Sequence, residues 1–225
     1  PGFGDPIEAR TRRQALAMSL IALGQGVPFF LAGDELLRSK DMDDNSYDSG
    51  DWFNRLDFTY QSNNWGIGLP IASQNQNNWP IMRPLLEIPA LKPAPRDIAL
   101  SRDAFQEFLT IRNSSLLFRM ATLSEIQNNL HFLNTGPLQL PGLIVMKLDA
   151  NGGSYGPFRH IVVVFNARNG VVRFQNDALK GLALSLHPAQ AGSSDSMVRQ
   201  SSFDPNTGTL TVPYLTTAVF VSDRE

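Results

Sequence analysis

The 225-residue sequence has no cysteine, which excludes disulfide staples, thiol catalysis and Cys-ligated zinc. Neither sign of charge is in excess: 19 Lys and Arg stand against 21 Asp and Glu, a net charge of −2. That balance gives no electrostatic ground for a nucleic-acid partner or an anionic membrane surface. Long apolar runs are missing too, since a membrane span needs about 18 consecutive apolar residues. The nearest approach, Ala15 to Leu23, contains Ser19, follows Arg12 and Arg13, and reads as a buried helix. The three histidines (131, 160 and 187) lie far apart in strand-like segments, none at metal-ligand spacing from another. No internal repeat is visible. The sequence begins with Pro1 rather than Met, with no signal peptide ahead of it, and reads as a piece of a longer protein.

What is present divides in two. Asp5-Pro6-Ile7-Glu8 predicts a helix start, with Asp5 as cap and Glu8 closing a capping box. That helix should run to about Leu23, with Leu16, Leu20 and Leu23 on its buried face and Gly24 to Gly26 as its stop. Val27 to Leu31, too short for a helix between glycines, predicts a buried parallel strand. From Ala32 to Pro95 the chain is rich in loop residues, and a second helical spacing over 96–113 carries Ile98, Phe105, Phe108, Leu109 and Arg112. After Leu116 the pattern becomes short strands separated by turn residues: 130–133, 142–148, 160–166, 171–174, 182–186, 210–212 and 218–221. Seven strands with no helix between them predict an antiparallel β-sandwich. Its expected core is Phe132, Leu143, Val145, Ile161, Val163, Phe165, Leu184, Val219 and Val221.

One stretch organises the first half. From Gly26 the sequence reads GVPFFLAGDELLRSKDMDDNSYDSGDWFNRLDF, an apolar run opening into a loop with five aspartates and an aromatic tip. This run resembles the eighth strand and following loop of the α-amylase superfamily barrel, in its pullulanase and limit-dextrinase branch. SSLLFRMAT and NTGPLQLPGLIVM resemble the entry into that family's C-terminal domain. The resemblance implies a fold of α/β followed by all-β: residues 1–115 as the last part of a (β/α)8 TIM barrel, residues 116–225 as an antiparallel β-sandwich. The implied activity is that of a starch or glycogen debranching glycoside hydrolase, a retaining α-1,6-glucosidase acting on pullulan, limit dextrins, amylopectin or glycogen. The family's three carboxylates follow strands four, five and seven, and no position here matches any of them. No catalytic residue is therefore assigned, and the upstream barrel of the same polypeptide is an implied partner. The RSK…SYDSGDWFN run argues against an isoamylase-like specificity.

Sugar binding is what the chain itself can supply. The candidates are Arg55, Asp48, Asp51, Trp52, Asn54 and Trp65. A guanidinium offers fixed donors for vicinal hydroxyls, aromatic faces stack on sugar rings, and carboxylates accept hydroxyl hydrogen bonds. A structural role for the same segment, with Trp52 and Phe53 in a core and the aspartates capping turns, is the competing expectation. Asp34-Glu35 would point to opposite sides and bond the local backbone. Asp41-x-Asp43-x-Asn45 has calcium-loop spacing, but Ser46 and Trp52 stand where an EF-hand needs Gly and Glu. No metal ligand is assigned and no cofactor is required, while calcium on a looser arrangement of those oxygens stays an open expectation. Gly152-Gly153-Ser154-Tyr155-Gly156 matches G-x-S-x-G but lacks strand–turn–helix context, so a hairpin loop is expected. The rival to the enzyme reading is a non-catalytic carbohydrate-binding or structural module.

Overall fold

The computed structural model describes residues 4–224, so Pro1 lies outside the described residues. Contacts group the chain into two compact units, 1–15 with 30–103 and 16–29 with 104–225. The division falls inside two helices, α1 (Ile7–Leu23) and, in the order of the chain, α5 (Pro95–Ser114).

The first unit holds little regular structure. Beyond the two long helices it has α2 (Asp51–Asn54), α3 (Ala72–Asn75), α4 (Trp79–Leu86) and several single 3₁₀ turns. Helix α1 starts at Ile7, with Pro6 rather than Asp5 at the cap position: the Pro6 carbonyl accepts from Arg10 N, and the Asp5 and Glu8 carboxylates, expected in a capping box, accept from Arg13 and Arg12. The strand expected at 27–31 is not formed. A strand is a pairing of two backbones, and among the described residues no segment offers 27–31 a ladder. The alternation persists without it, with Val27, Phe29 and Leu31 exposed and Pro28 and Phe30 partly buried.

The second unit is a β-sandwich. Its strands are β1 (Leu130–Phe132), β2 (Leu143–Asp149), β3 (Phe158–Asn166), β4 (Val172–Gln175), β5 (Ser185–Leu186), β6 (Ser202–Asp204), β7 (Thr209–Val212) and β8 (Thr216–Asp223). One sheet runs β1-β2-β3-β8-β5 and the other β4-β7-β6, with every pairing antiparallel. Between them pack Leu143, Val145, Val162, Val164, Ala218 and Phe220 from the larger sheet and Val172, Phe174, Leu210 and Val212 from the smaller. The register places Ile161, Val163, Val219 and Val221 on the opposite face, also buried. The expected core list therefore mixes two faces. Strands β3 and β8 are apolar almost without break because both sides of the sheet are covered. On that far face Ser19 Oγ of α1 lies 2.6 Å from Thr217 Oγ1 of β8.

Other expectations are corrected. Phe132 is half exposed, because β1 is an edge strand. Only Ser185–Leu186 of 182–186 pairs, with Leu182 and Leu184 packed beside the core as irregular chain. On α1 the buried side is Met18, Ser19, Ala22 and Leu23, whereas Leu20 is exposed. This helix is apolar on more than one side, so spacing alone could not choose its face. Two short helices, α6 (Leu123–Asn129) and α7 (Pro188–Ala191), and strand β6 stand where the sequence reading put strands or nothing.

Buried polar side chains complete the backbone pairing of this unit. The Gln190 amide accepts from Val219 N and donates to Thr217 O, continuing the edge of β8 where β5 ends. Arg112 donates to the carbonyls of Ala22, Gly24 and Gly26 at the end of α1, a cation where the helix leaves acceptors unfilled. Burial, and then Arg119, lower its affinity for its proton.

Candidate functional site

The loop after Leu31 is held by side chains that grip backbone. Asp41 is fully buried, and its carboxylate accepts from Gly66 N (2.7 Å), Ile67 N (2.7 Å) and Gly68 N (2.8 Å). Asp43 accepts from Asn45 N, the Ser49 hydroxyl and the Asn75 amide. Asn63 donates to Leu37 O, and its own carbonyl accepts from Ser39 N. Gly33 shows how tightly the turn closes. It sits at φ 100°, and a Cβ there would meet Leu56 Cδ2 at 2.6 Å and Arg38 Cδ at 2.8 Å.

On this frame Gly50 (φ 80°) turns the chain into α2. Phe53 points inward and is buried, while Trp52 is 59% exposed. Arg55 lies with Cζ 5.9 Å from the Trp52 ring centroid, at the limit of cation–π reach. Asp51, Trp52, Asn54 and Arg55 line an open depression of ≈ 330 Å³. A flat apolar face beside a guanidinium and a carboxylate suits a ring with hydroxyl edges. The Asn54 amide is already engaged: Oδ1 accepts from Arg38 and Ser46, and Nδ2 donates to Ser46 O. Of the six sequence candidates the structure gathers these four. Asp48 is exposed in the preceding turn, outside the depression. Trp65 lines a different cavity of ≈ 350 Å³ with Arg10, Gln14, Asp34, Arg38 and Asn63. Arg38 and Asn64, which hold the loop from behind, were missed, since nothing in a lone Arg or an Asn-Asn pair signals a contact 9 to 16 residues away.

The remaining polar constellations bond to backbone or to one another. Asp34 accepts from Leu31 N and Glu35 from Gly33 N. Asp41, the first residue of the calcium-like spacing, meets three backbone amides, and among the described residues no cluster of three or more acidic or histidine side chains is arranged to hold a metal. The G-x-S-x-G segment is the β2–β3 hairpin loop. The histidines, distant in sequence, are not all distant in space. The pairing of β1, β2 and β3 brings His160 Nδ1 to 2.6 Å and His131 Nε2 to 3.8 Å from Asp149, which Lys147 also contacts. Burial would raise the Asp149 pKa, but the hydrogen bonds and charges of Lys147 and His160 outweigh it and hold the carboxyl below its ordinary value. His187 accepts at Nδ1 from Ala189 N, which leaves the proton on Nε2, facing Ser114 Oγ at 3.1 Å. Ser114 in turn donates to Ile111 O. Burial lowers the His187 pKa to about 4. An imidazole already protonated at Nε2 cannot accept the serine proton there, so this pair is not an activated nucleophile.

Comparison with known proteins decides what this frame belongs to. Residues 60–223 match the family model described as alpha-1,6-glucosidases, pullulanase-type, C-terminal. The chain belongs to this family. It is 48% identical over 225 residues to chloroplastic pullulanase 1 of Arabidopsis thaliana, covering 97% of this chain and 23% of that protein. It is 38% identical over 143 residues to the pullulanase of Klebsiella pneumoniae, covering 64% of this chain and 13% of the relative. The crystal structure of the apo Klebsiella pneumoniae pullulanase superposes with a TM-score of 0.90 at 32% identity, over 100% of this chain and 24% of that one. The same enzyme complexed with maltotriose also gives 0.90 at 32% identity, over 100% of this chain and 21% of that one. The chain thus spans less than a quarter of the length of these relatives and matches their C-terminal region.

Proposed function

We propose that this chain is part of a debranching glycoside hydrolase whose whole polypeptide cleaves α-1,6-glucosidic linkages in pullulan, limit dextrins, amylopectin or glycogen. Residues 1–115 close its (β/α)8 barrel, and Val27 to Leu31 become the last barrel strand once upstream strands supply their ladders. The period-two exposure of that unpaired segment supports this reading. Hydrolysis with retention needs two carboxylates about 5 Å apart on the barrel, and the family's motifs for them have no counterpart here. The chain alone is therefore inactive, the sandwich acts as a stabilising domain, and the loop supplies part of the wall that holds the glucan. The reading needs no cofactor. A calcium ion at the 41–45 segment would have to displace the amides that fill Asp41.

The observation that carries the reading is the exposed Trp52 face with Arg55 beside it in one open depression. It is tested by setting the chain in place of the matching C-terminal segment of the Arabidopsis relative and assaying pullulan. Arg55→Ala should lower kcat/KM by roughly ten- to hundredfold, the loss of charge-assisted hydrogen bonds. Arg55→Lys should recover little, since an ammonium lacks the planar fork. Unchanged kcat/KM in Arg55→Ala, with the graft active, rejects the glucan-wall role. Pullulan hydrolysis by the ungrafted chain rejects the assignment of the catalytic groups to upstream residues.

A further inference from the structure

The turn that carries Trp52 and Arg55 is tied locally through the Asn54 side chain, which donates to Ser46 O and Gly50 O and accepts from Ser46 Oγ. Helix α2 is four residues long, and its N-cap, Gly50, offers no side chain. Two side chains from outside the turn hold its exit. Arg38 donates through Nη2 to Asn54 O at 3.1 Å and Asn54 Oδ1 at 3.2 Å, and through Nη1 to Ala32 O at 3.3 Å. Asn64 donates through Nδ2 to the carbonyl of Arg55, the next residue. Carbonyls of two successive residues are thus gripped from two different segments. Asn64 is buried and adopts φ 68°, a left-handed conformation that asparagine tolerates better than most side chains. Its neighbour Asn63 locks the same segment to Leu37 and Ser39 on either side of Arg38.

We infer that Arg38 and Asn64 are positioning residues: they clamp the Asn54 and Arg55 carbonyls and thereby set the angle between the Arg55 guanidinium and the Trp52 face that an α-1,4-linked glucosyl chain would meet. The inference rests on the glucan-wall reading and adds a specific device to it. Neither residue touches the depression through a free group; each acts through the backbone of a residue that lines it. A side chain with a long, flexible stem such as Arg55 has many rotamers. Fixing its backbone beside the Trp52 face limits the directions its fork can take, which favours one sugar orientation over others.

The test is a maltotriose titration of the full 225-residue chain, followed by the Trp52 indole N–H resonance. The variants are Arg55→Ala, Asn64→Gly, their double mutant and Arg38→Lys. Glycine keeps the left-handed backbone at 64 and removes only the amide. Asn64→Gly should shift the Trp52 resonance in the free protein and weaken maltotriose roughly three- to tenfold, the range of one lost hydrogen bond. Arg38→Lys, which keeps the charge but not the fork, should do the same and serves if Asn64→Gly fails to fold. The deciding readout is coupling: the double mutant should bind no more weakly than Arg55→Ala alone. If the Asn64→Gly factor multiplies that of Arg55→Ala, or either clamp variant binds with unchanged affinity, the clamp is overturned. If Arg55→Ala binds as well as the unsubstituted chain, or that chain shows no perturbation at Trp52, the glucan reading itself fails.

Discussion

The loop region of the first unit and the sandwich of the second solve the same problem, buried backbone, in opposite ways. In the sandwich β2, β3 and β8 pair along nearly their whole length, and the inter-sheet side chains are Val, Leu, Phe and Ala. Each ladder bond there has neighbours that do the same task. Between residues 33 and 68 hardly any backbone pairs with backbone beyond single turns. Instead Asp41, Asp57, Asn54, Asn63, Asn64 and Arg38 each satisfy one or more main-chain groups. A ladder is redundant and a side-chain grip is not. Single polar substitutions should therefore undo the loop locally, whereas the sandwich should yield only to lost core volume, and then as a whole.

The largest effects should come from one substitution of each kind. Asp41→Ala removes the fully buried carboxylate that accepts from three backbone N–H groups, bonds to a charged acceptor worth about 1.5–3 kcal/mol each, enough to open the loop. Amide exchange at Gly66, Ile67 and Gly68 should rise by orders of magnitude while amides of β3 and β8 keep their protection. Phe220→Ala, at the centre of the inter-sheet core, should cost about 3–5 kcal/mol and lower protection through every strand together. Equal loss of protection in both units after Asp41→Ala would break the contrast.

The same contrast explains what could be read from the sequence. Helices α1 and α5 and most strand positions follow from local periodicity, and the long apolar runs of β3 and β8 announce a sheet covered on both sides. What failed depends on partners distant in sequence. Val27 to Leu31 has the composition of a strand but no ladder, and composition cannot supply one. Nothing in the spacing of Asp41, Asp43 and Asn45 signals that the Asp41 carboxylate accepts from amides 25 to 27 residues further on. His131 and His160 meet at Asp149 only through strand register. Arg55 and Trp52 could be proposed from the sequence because a guanidinium and an indole carry their chemistry openly; Arg38 and Asn64 bond to carbonyls, which every residue has. One miss was legible. Thr122-Leu123-Ser124-Glu125 is a capping-box pattern, passed over because strands were expected throughout that half.

A pH experiment sharpens the comparison at intermediate size. His187 is neutral in the fold, with its pKa lowered to about 4 by burial, against an ordinary value near 6.5. Between those values the unfolded chain binds the proton and the folded chain does not, so stability falls as pH drops from 6.5 toward 4. Its contribution is fully present above pH 6.5. The sandwich unit should lose on the order of 2 kcal/mol over that window, read as a lower urea midpoint. His187→Asn keeps an acceptor for Ala189 N and should flatten the dependence between pH 7 and pH 4.5. Identical slopes in the two proteins would show that another group controls acid stability.

The smallest expected effect asks whether burial or bond type sets the difference between the regions. Helix α6 begins with a side-chain grip of the same kind as at Asp41, but inside the sandwich unit and in contact with water. Thr122 Oγ1 accepts from Glu125 N at 3.2 Å, and Glu125 Oε2 accepts from Thr122 N at 2.9 Å. If bond type were decisive, Thr122→Ala would approach the cost of Asp41→Ala. If burial decides, water takes over the freed amide and the loss is that of an ordinary exposed cap, about 1 kcal/mol. We expect the second result, with Thr122→Ser close to unsubstituted and faster exchange confined to the first turn of α6. A loss from Thr122→Ala as large as that from Asp41→Ala would mean that the loop's dependence on single side chains comes from the bonds themselves, and not from where they are made.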